Sequence, residues 1–364
     1  MSRRVSIVLA WLLQVWWPLT MRAQFSYDVP AYKPMLQIED TVSVIIIGDV
    51  MMHSRQMECD MEKFLAGISP ALEKADIAIA NMEFALGGKP YSGYPVFSAP
   101  DGYASYVASC GVDVFLTANN HILDRSERGL ERTLGIYRSM RDSVLFTGSA
   151  SDQDEREATS PLILNRRGIS IALVNFTYGT NNGQLREWPQ VSRMDTVQVR
   201  QAIDKAKSAG ADFILALPHW GKEYELRHSK SQEEWAEWLA VQGVSAIIGS
   251  HPHVVQDTAH INGVPVIYSV GNAVSNMSAR NTRLELAVTI RFVRSLISGR
   301  TRMLEPELRY MWCTLPDMLT DSFCTIFIDE WRGKRYVWKT PSDYDNMIET
   351  YHRVRSSGSE YLSH

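Results

Sequence analysis

Short apolar runs recur along this chain, many of them rich in β-branched residues, and six of them stop abruptly at a polar cluster. Residues 42–47 run into Gly48-Asp49, residues 75–80 into Asn81-Met82-Glu83, and residues 112–118 into Asn119-Asn120-His121. Further on, residues 213–217 pass through Pro218 into His219-Trp220-Gly221, residues 244–248 through Gly249-Ser250 into His251-Pro252-His253, and residues 264–270 into Gly271-Asn272. Apolar runs of this length predict short buried strands, and residues 169–176 form another. Between the runs lie segments with helical spacing: 57–73, with a late Pro, 103–110, 125–141, 195–209 and the Trp-rich 232–242. In 125–141, Leu130, Leu134 and Tyr137 fall on one side. This β-α-β alternation predicts α/β layering.

From Arg283 the texture changes to two strands, 284–293 and 302–310, followed by a charged tail without ligand clusters. Residues 178–190 are the longest predicted loop, and neither an internal repeat nor a low-complexity linker is visible. In α/β folds the strand ends deliver side chains from distant segments to one place. Most residues of the six clusters are potential metal ligands, so the pattern predicts a metal centre there.

At 364 residues, with 45% hydrophobic content, the chain can bury a substantial core. Its formal charge is −4, and removing Arg3, Arg4 and Arg22 with an N-terminal segment takes it to −7. Nothing in that balance attracts nucleic acid. Arg3 and Arg4 precede an apolar stretch over residues 5–20 and a small residue, Ala23, which is the order of an export signal cleaved over 1–23. The stretch is short of the roughly 20 residues that span a bilayer, which leaves an uncleaved N-terminal anchor as the alternative. The expected location is therefore the periplasm or cell envelope.

Cys59, Cys110, Cys313 and Cys324 show no C-x-x-C spacing, so any metal is expected on nitrogen and oxygen ligands. In an exported protein Cys313 and Cys324 can pair, whereas Cys110 has the apolar context of a buried thiol.

Asp49 emerges at a strand end after a Gly that permits a tight turn. His53, four residues on, reaches the same side if the segment turns helically. Asn81 and Glu83 fall on one side of an extended segment, where Glu83 can bridge two ions or the trio can serve a turn or a helix cap. Two amides and an imidazole directly after a buried strand are costly without partners, which makes Asn120 a ligand candidate. His121 is the candidate proton donor, oriented by Asp124. His219 begins another ligand cluster, and its neighbours Trp220 and Tyr224 either pack around the site or line a substrate surface. His251 and His253 flank a rigid Pro and can each face a different ion or clamp one. His228, His260, His352 and His364 have no such context and read as surface residues. Arg55, Lys222 and Arg186 are candidate contacts for an acidic ligand or ordinary solvated charges.

The ordered set Gly48-Asp49-Val50-Met51, Asn81-Met82-Glu83, Ala118-Asn119-Asn120-His121, His219 to Tyr224, Gly249 to Gln256 and Tyr268 to Asn272 resembles the CapA family. That family is associated with capsule and poly-γ-glutamate synthesis and resembles the calcineurin-like metallophosphoesterases. The resemblance covers residues 42–276 and implies a four-layer α/β/β/α sandwich, with 277–364 as a small β-rich extension completing the same domain. It implies Asp49 and His253 on one divalent ion, Asn120, His219 and His251 on a second, Glu83 between them, and His121 as the acid. Met51 stands where the phosphoesterases carry a histidine, so the first ion loses a ligand unless His53 supplies it. Manganese, iron and zinc all suit such ligands. Expected partners are an anionic surface polymer or its precursor and the envelope synthesis machinery. Two functional readings follow: a metal-dependent hydrolase of phosphoester or amide bonds, and a non-catalytic accessory that binds the polymer during assembly or export.

Overall fold

The structure is a computed structural model that describes residues 38–183 and 187–358; the expected export segment and Arg186 lie outside the described residues. The first part gives β1 (Glu39–Val50), α1 (Ser69–Lys74), β2 (Ile77–Met82), α2 (Asp101–Ser109), β3 (Val114–Leu116), α3 (Ser126–Ser139), β4 (Leu145–Thr147), β5 (Ser149–Ala150) and α4 (Gln153–Thr159). Then come β6 (Leu162–Arg166), β7 (Ile169–Thr177), β8 (Gln190–Val191), α5 (Thr196–Ser208), β9 (Phe213–His219), α6 (Lys230–Val241) and β10 (Ala246–Ile248). The rest is β11 (Thr258–Ile261), β12 (Val264–Ile267), β13 (Asn272–Val274), β14 (Leu284–Ser295), β15 (Thr301–Met303), β16 (Glu307–Thr314), β17 (Cys324–Phe327), α7 (Ile328–Trp331) and α8 (Pro341–Gly358).

One sheet runs β17-β16-β14-β1-β2-β3-β4, with β13 beside the end of β1 and β15 beside β14. The other runs β11-β12-β10-β9-β7-β6. Period-two alternation along β1 explains how they stack. Val42, Val44 and Ile46 join Ile171, Leu173 and Leu215 in a core between the two sheets. Ile45 and Ile47 point the other way and pack with Tyr103, Leu130 and Leu134 of α2 and α3. On the far side of the second sheet, Ala172 and Val174 meet Val199 and Ile203 of α5 and Leu239 of α6. Three cores between four layers make the expected α/β/β/α sandwich. Among the described residues no helix is long and apolar enough to cross a membrane.

Three expectations need correction. Segment 57–73 is not one helix: it has two short turns, Gln56–Glu58 and Met61–Lys63, and then α1, whose first turn holds Pro70. Proline lacks the N–H that a helix interior needs, so a helix can begin at that position but not run through it. The charged tail contains an 18-residue helix, α8, whose Met347, Tyr351 and Val354 recur at helical spacing and enter the core between the sheets. Its start is tied down by Arg283, which donates to both Asp343 oxygens at 2.6 and 2.7 Å. The predicted strand 302–310 is interrupted before Glu307, and its two pieces pair with successive parts of β14.

The four cysteines are free. Cys313 lies opposite Thr325 and Cys324 opposite Thr314, so the two are one step out of register on neighbouring strands. Side chains alternate between sheet faces, and Cys313 joins the core under α2 while Cys324 joins the core between the sheets. The sheet itself separates the two thiols.

Glu285 of β14 is buried, and neither carboxylate oxygen has a hydrogen-bond partner. Burial pushes its carboxyl well above the ordinary value, against the pull of Arg283. An acid whose folded pKa is raised stabilises the fold while protonated and loses that contribution as pH rises past its unfolded value. Glu285→Met is therefore expected to raise the unfolding free energy by about 1–3 kcal/mol at pH 8 and by little at pH 4. Urea denaturation at the two pH values checks this, and a loss at pH 8 would mean that the fold requires the ionised carboxylate.

Candidate metal centre

The polar clusters meet because parallel strands end together. In the first sheet Asp49 lies opposite Asn81 of β2 and Asn272 of β13. In the second, Thr177 of β7 lies opposite His219 of β9, and His219 bridges to Ser250 just after β10. The register of β1 against β2 shifts between Ile47 and Asp49, a bulge at Gly48 that re-aims the aspartate. A Cβ at Gly48 would lie 1.9 Å from the Gly271 carbonyl oxygen, so only glycine fits there.

Glu83 stands at the middle. It is 0% exposed, and neither of its oxygens has a hydrogen-bond partner. The Nε2 atoms of His219 and His253 lie 3.7 and 3.8 Å from its Oε1. Donor atoms of Glu83, His251 and His253 lie within 4.8 Å of one another, and so do those of Asp49, Glu83 and His219. Glu83 is common to both groups.

Asp49, His219 and His253 are each held by neighbours. His219 Nδ1 lies 3.0 Å from Ser250 Oγ, and its Nε2 lies 2.8 Å from Asn120 Oδ1. His253 Nδ1 lies 2.9 Å from Asn272 Oδ1 and 3.3 Å from Asp49 Oδ2. Asn81 donates from Nδ2 to Asp49 Oδ1 at 2.7 Å, while the backbone N–H of His251 donates to Asp49 Oδ2 at 3.2 Å. Such partners fix ring orientation; at His253 they leave Nε2 free to face an ion, whereas Nε2 of His219 shares its position with Asn120. His251 Nδ1 has no partner at all. His251 and His253 both adopt positive φ, +97° and +57°, about Pro252, a backbone state costing of order 1–3 kcal/mol per residue.

The electrostatics fit a cation. Burial pushes Glu83 well up, and the neighbouring Asp49 charge adds to this. At Asp49 burial acts upward too, but His253 and His219 outweigh it and hold the carboxyl below its ordinary value. Burial takes His219 down to about 3 and His251 well below the ordinary histidine value, so both rings are neutral and have a lone pair to offer. At His253 burial acts downward, but the hydrogen bond and charge of Asp49 outweigh it and hold the imidazole above its ordinary value. Two buried acids beside the neutral rings of His219 and His251 suit a divalent ion.

His121 and Asp124 lie beside this set. Their Nδ1 and Oδ2 atoms are 2.6 Å apart, and the same Oδ2 accepts from Phe97 N–H at 2.8 Å. The Phe97 ring meets the imidazole edge-on at 4.7 Å.

The remaining expected residues fall elsewhere. His53 is outside both donor groups; its Nδ1 lies 3.0 Å from Gln56 Oε1, and burial lowers its pKa to about 4. Arg55 is exposed at the turn that follows. Trp220 is 0% exposed and donates to the Tyr268 carbonyl at 2.9 Å, so it packs beneath the second sheet and offers a substrate no surface. Tyr224 is exposed, 6.3 Å from the His253 ring. His228 is not a surface residue: it stacks on Tyr268 at 3.9 Å and lies 3.0 Å from Asp257. His260 and His352 are exposed, and His364 lies outside the described residues. Asn272 is the buried partner of His253, with its Nδ2 donating to Thr282 O at 2.9 Å.

A four-layer α/β/β/α sandwich with an imidazole and carboxylate cluster at its strand ends defines the class of this chain: a two-sheet α/β protein with a candidate metal centre between its sheet ends. Residues 43–277 match the family described as bacterial capsule synthesis protein PGA_cap, and the chain belongs to that family. It is 24% identical over 259 residues to the capsule biosynthesis protein CapA of Bacillus anthracis and 25% identical over 261 residues to the PGA biosynthesis protein CapA of Bacillus subtilis. Both alignments take in 67% of this chain, but only 62% and 66% of the two relatives. Among solved structures, the calcineurin-like phosphoesterase YfkN of Bacillus subtilis is similar over 87% of this chain and 99% of that one, at 15% identity and a TM-score of 0.48. The NAD nucleotidase NadN of Haemophilus influenzae is similar over 74% and 58%, at 13% identity and a TM-score of 0.45.

Glu83→Gln removes a buried charge that only a cation would balance. In chelator at pH 8 this variant is expected to unfold about 1–3 kcal/mol later than the unaltered protein, while elemental analysis shows at least half of the bound metal lost. Unchanged metal content would remove Glu83 from the ligand set.

Proposed function

We propose that this protein is an exported metal-dependent hydrolase that cleaves phosphoester or amide bonds during biosynthesis of a capsule or other surface polymer. The observation that carries the reading is Glu83, a fully buried carboxylate without a hydrogen-bond partner, shared by two groups of donors. Membership of the capsule synthesis family supports the biological setting. The positive, then apolar, then small-residue order of the first 23 residues supports export.

Asp49, Glu83, Asn120, His219, His251 and His253 would hold one or two divalent ions. Such ions supply Lewis-acid activation of water and of the scissile group. The chain's own residues do the rest. Ser250 and Asn272 hold the two imidazoles at Nδ1 and so keep Nε2 turned inward. Asp124 occupies His121 Nδ1, which leaves Nε2–H to give its proton to the leaving atom as the bond breaks. The Asp124 carboxylate also balances the charge of protonated His121. The buried setting strengthens both effects.

Purified protein is expected to retain metal near stoichiometric amounts and to hydrolyse a generic phosphodiester or poly-γ-glutamate. His121→Ala should lower kcat by about 10²–10⁴ with metal content unchanged, whereas His253→Ala should lose metal and activity together. Metal-loaded protein that binds polymer but cleaves neither substrate would replace this reading with the polymer-binding accessory.

A further inference from the structure

Three tyrosines that packing leaves open stand at the mouth of the centre, each against one of its histidines. Tyr178 is 48% exposed, with its ring 4.6 Å from that of His251. Tyr224 is 45% exposed and 6.3 Å from His253. Tyr94 is 72% exposed and 6.4 Å from His121. The rings that Tyr178 and Tyr224 meet are neighbours, with the centroids of His251 and His253 5.8 Å apart.

Tyr224 is also held under strain. Its φ is +67°, a region a bulky side chain rarely occupies, and its N–H donates to Pro252 O at 2.9 Å, within the His-Pro-His turn. Strain of this kind persists where the surroundings over-determine it, and it clusters at ligand-binding positions. The ring is thus positioned by the same turn that positions the two histidines.

The polar groups among the tyrosines are acceptors and amides. Glu223 is exposed and directly precedes Tyr224 in the chain. Asn181 lies beside the proton donor, with its Nδ2 3.2 Å from His121 Nδ1 and its Oδ1 accepting from Asn120 Nδ2 at 3.4 Å. A sugar ring has apolar C–H faces for the aromatics and hydroxyls for a carboxylate, an amide and phenol oxygens.

We propose that this rim is a saccharide subsite: Tyr94, Tyr178 and Tyr224 stack on a sugar ring, and Glu223 and Asn181 bind its hydroxyls. The subsite presents the sugar-bearing substrate to the metal centre, and in that sense it rests on the hydrolase reading.

Binding and cleavage are tested separately. Calorimetric titration of the full chain in chelator, with a panel of neutral and amino-sugar hexasaccharides, is expected to show binding that Tyr178→Ala and Tyr224→Ala each weaken by roughly three- to tenfold, and that Tyr224→Phe largely keeps. A γ-linked glutamate hexamer should bind more weakly than the best saccharide. Binding by no saccharide, tyrosine variants that bind as well as the unaltered chain, or preference for the glutamate hexamer would overturn the subsite. In metal-loaded protein, Tyr178→Ala should raise KM for a sugar phosphodiester and leave KM for a glycerol phosphodiester unchanged; equal effects on both would also overturn it. Cleavage of neither diester, with saccharide binding intact, would remove the hydrolase reading and leave the subsite standing.

Discussion

Asp49 and Glu83 are two fully buried carboxylates in one cluster, and their mutual repulsion is the constraint that the site and its walls answer. Desolvating a charge costs several kcal/mol even after relaxation. The chain meets this cost unevenly. Asp49 is satisfied from inside the fold, by Asn81, by the His251 N–H and by His253. Glu83 receives nothing. His219 and His251 do not neutralise the pair, because burial keeps them uncharged, and His253, held above the ordinary histidine value against burial by Asp49, answers Asp49 alone. What remains is a negative hole lined with lone pairs, a shape that only a cation completes.

That hole also explains where backbone strain is tolerated. Gly48 lets β1 bulge against Gly271, and the bulge turns Asp49 inward. His251 and His253 sit at positive φ around Pro252. Each distortion is held by sheet hydrogen bonds on either side, so the stiffness of the two sheets fixes the donors against relaxation. The sandwich is thereby less stable than an apolar version of the same packing, and the difference is localised where ligands are needed.

Much of this is legible in the sequence because a buried strand that ends in polar residues advertises itself. Asp49, Glu83, Asn120, His219, His251 and His253 are all visible as exceptions to an apolar run, and they do converge. Their partners are harder to read. Asn272 follows a run in the same way, yet beside Gly271 it resembles a turn, and only the β1–β13 register shows it meeting His253. Trp220 and Tyr224 look equivalent as aromatics four residues apart. The chain direction after β9 sends one beneath the sheet and the other to the mouth, and no local pattern encodes that. His53 has the right spacing for Asp49 only if the segment is helical, whereas the short turn at Gln56–Glu58 gives its Nδ1 to Gln56. Cys313 and Cys324 are separated by a sheet whose register sequence spacing does not reveal.

Inner site and rim differ in the chemistry they recognise, and this difference constrains the substrate more than either does alone. The inner donors respond to charge and would be indifferent to what carries the scissile group. The rim offers faces and hydrogen bonds. A substrate that suits both has its reacting group at one end and an uncharged ring beside it. In such a substrate the ring would be bound before and after the bond breaks, so stacking would lower KM without changing kcat, while the steps that raise kcat stay with His121 and the inner donors. The His-Pro-His turn connects the two functions physically, because Tyr224 hangs from the Pro252 carbonyl between two ligand candidates. A change in that turn moves the ring and the imidazoles together, which is why recognition and catalysis here cannot be varied independently through the backbone.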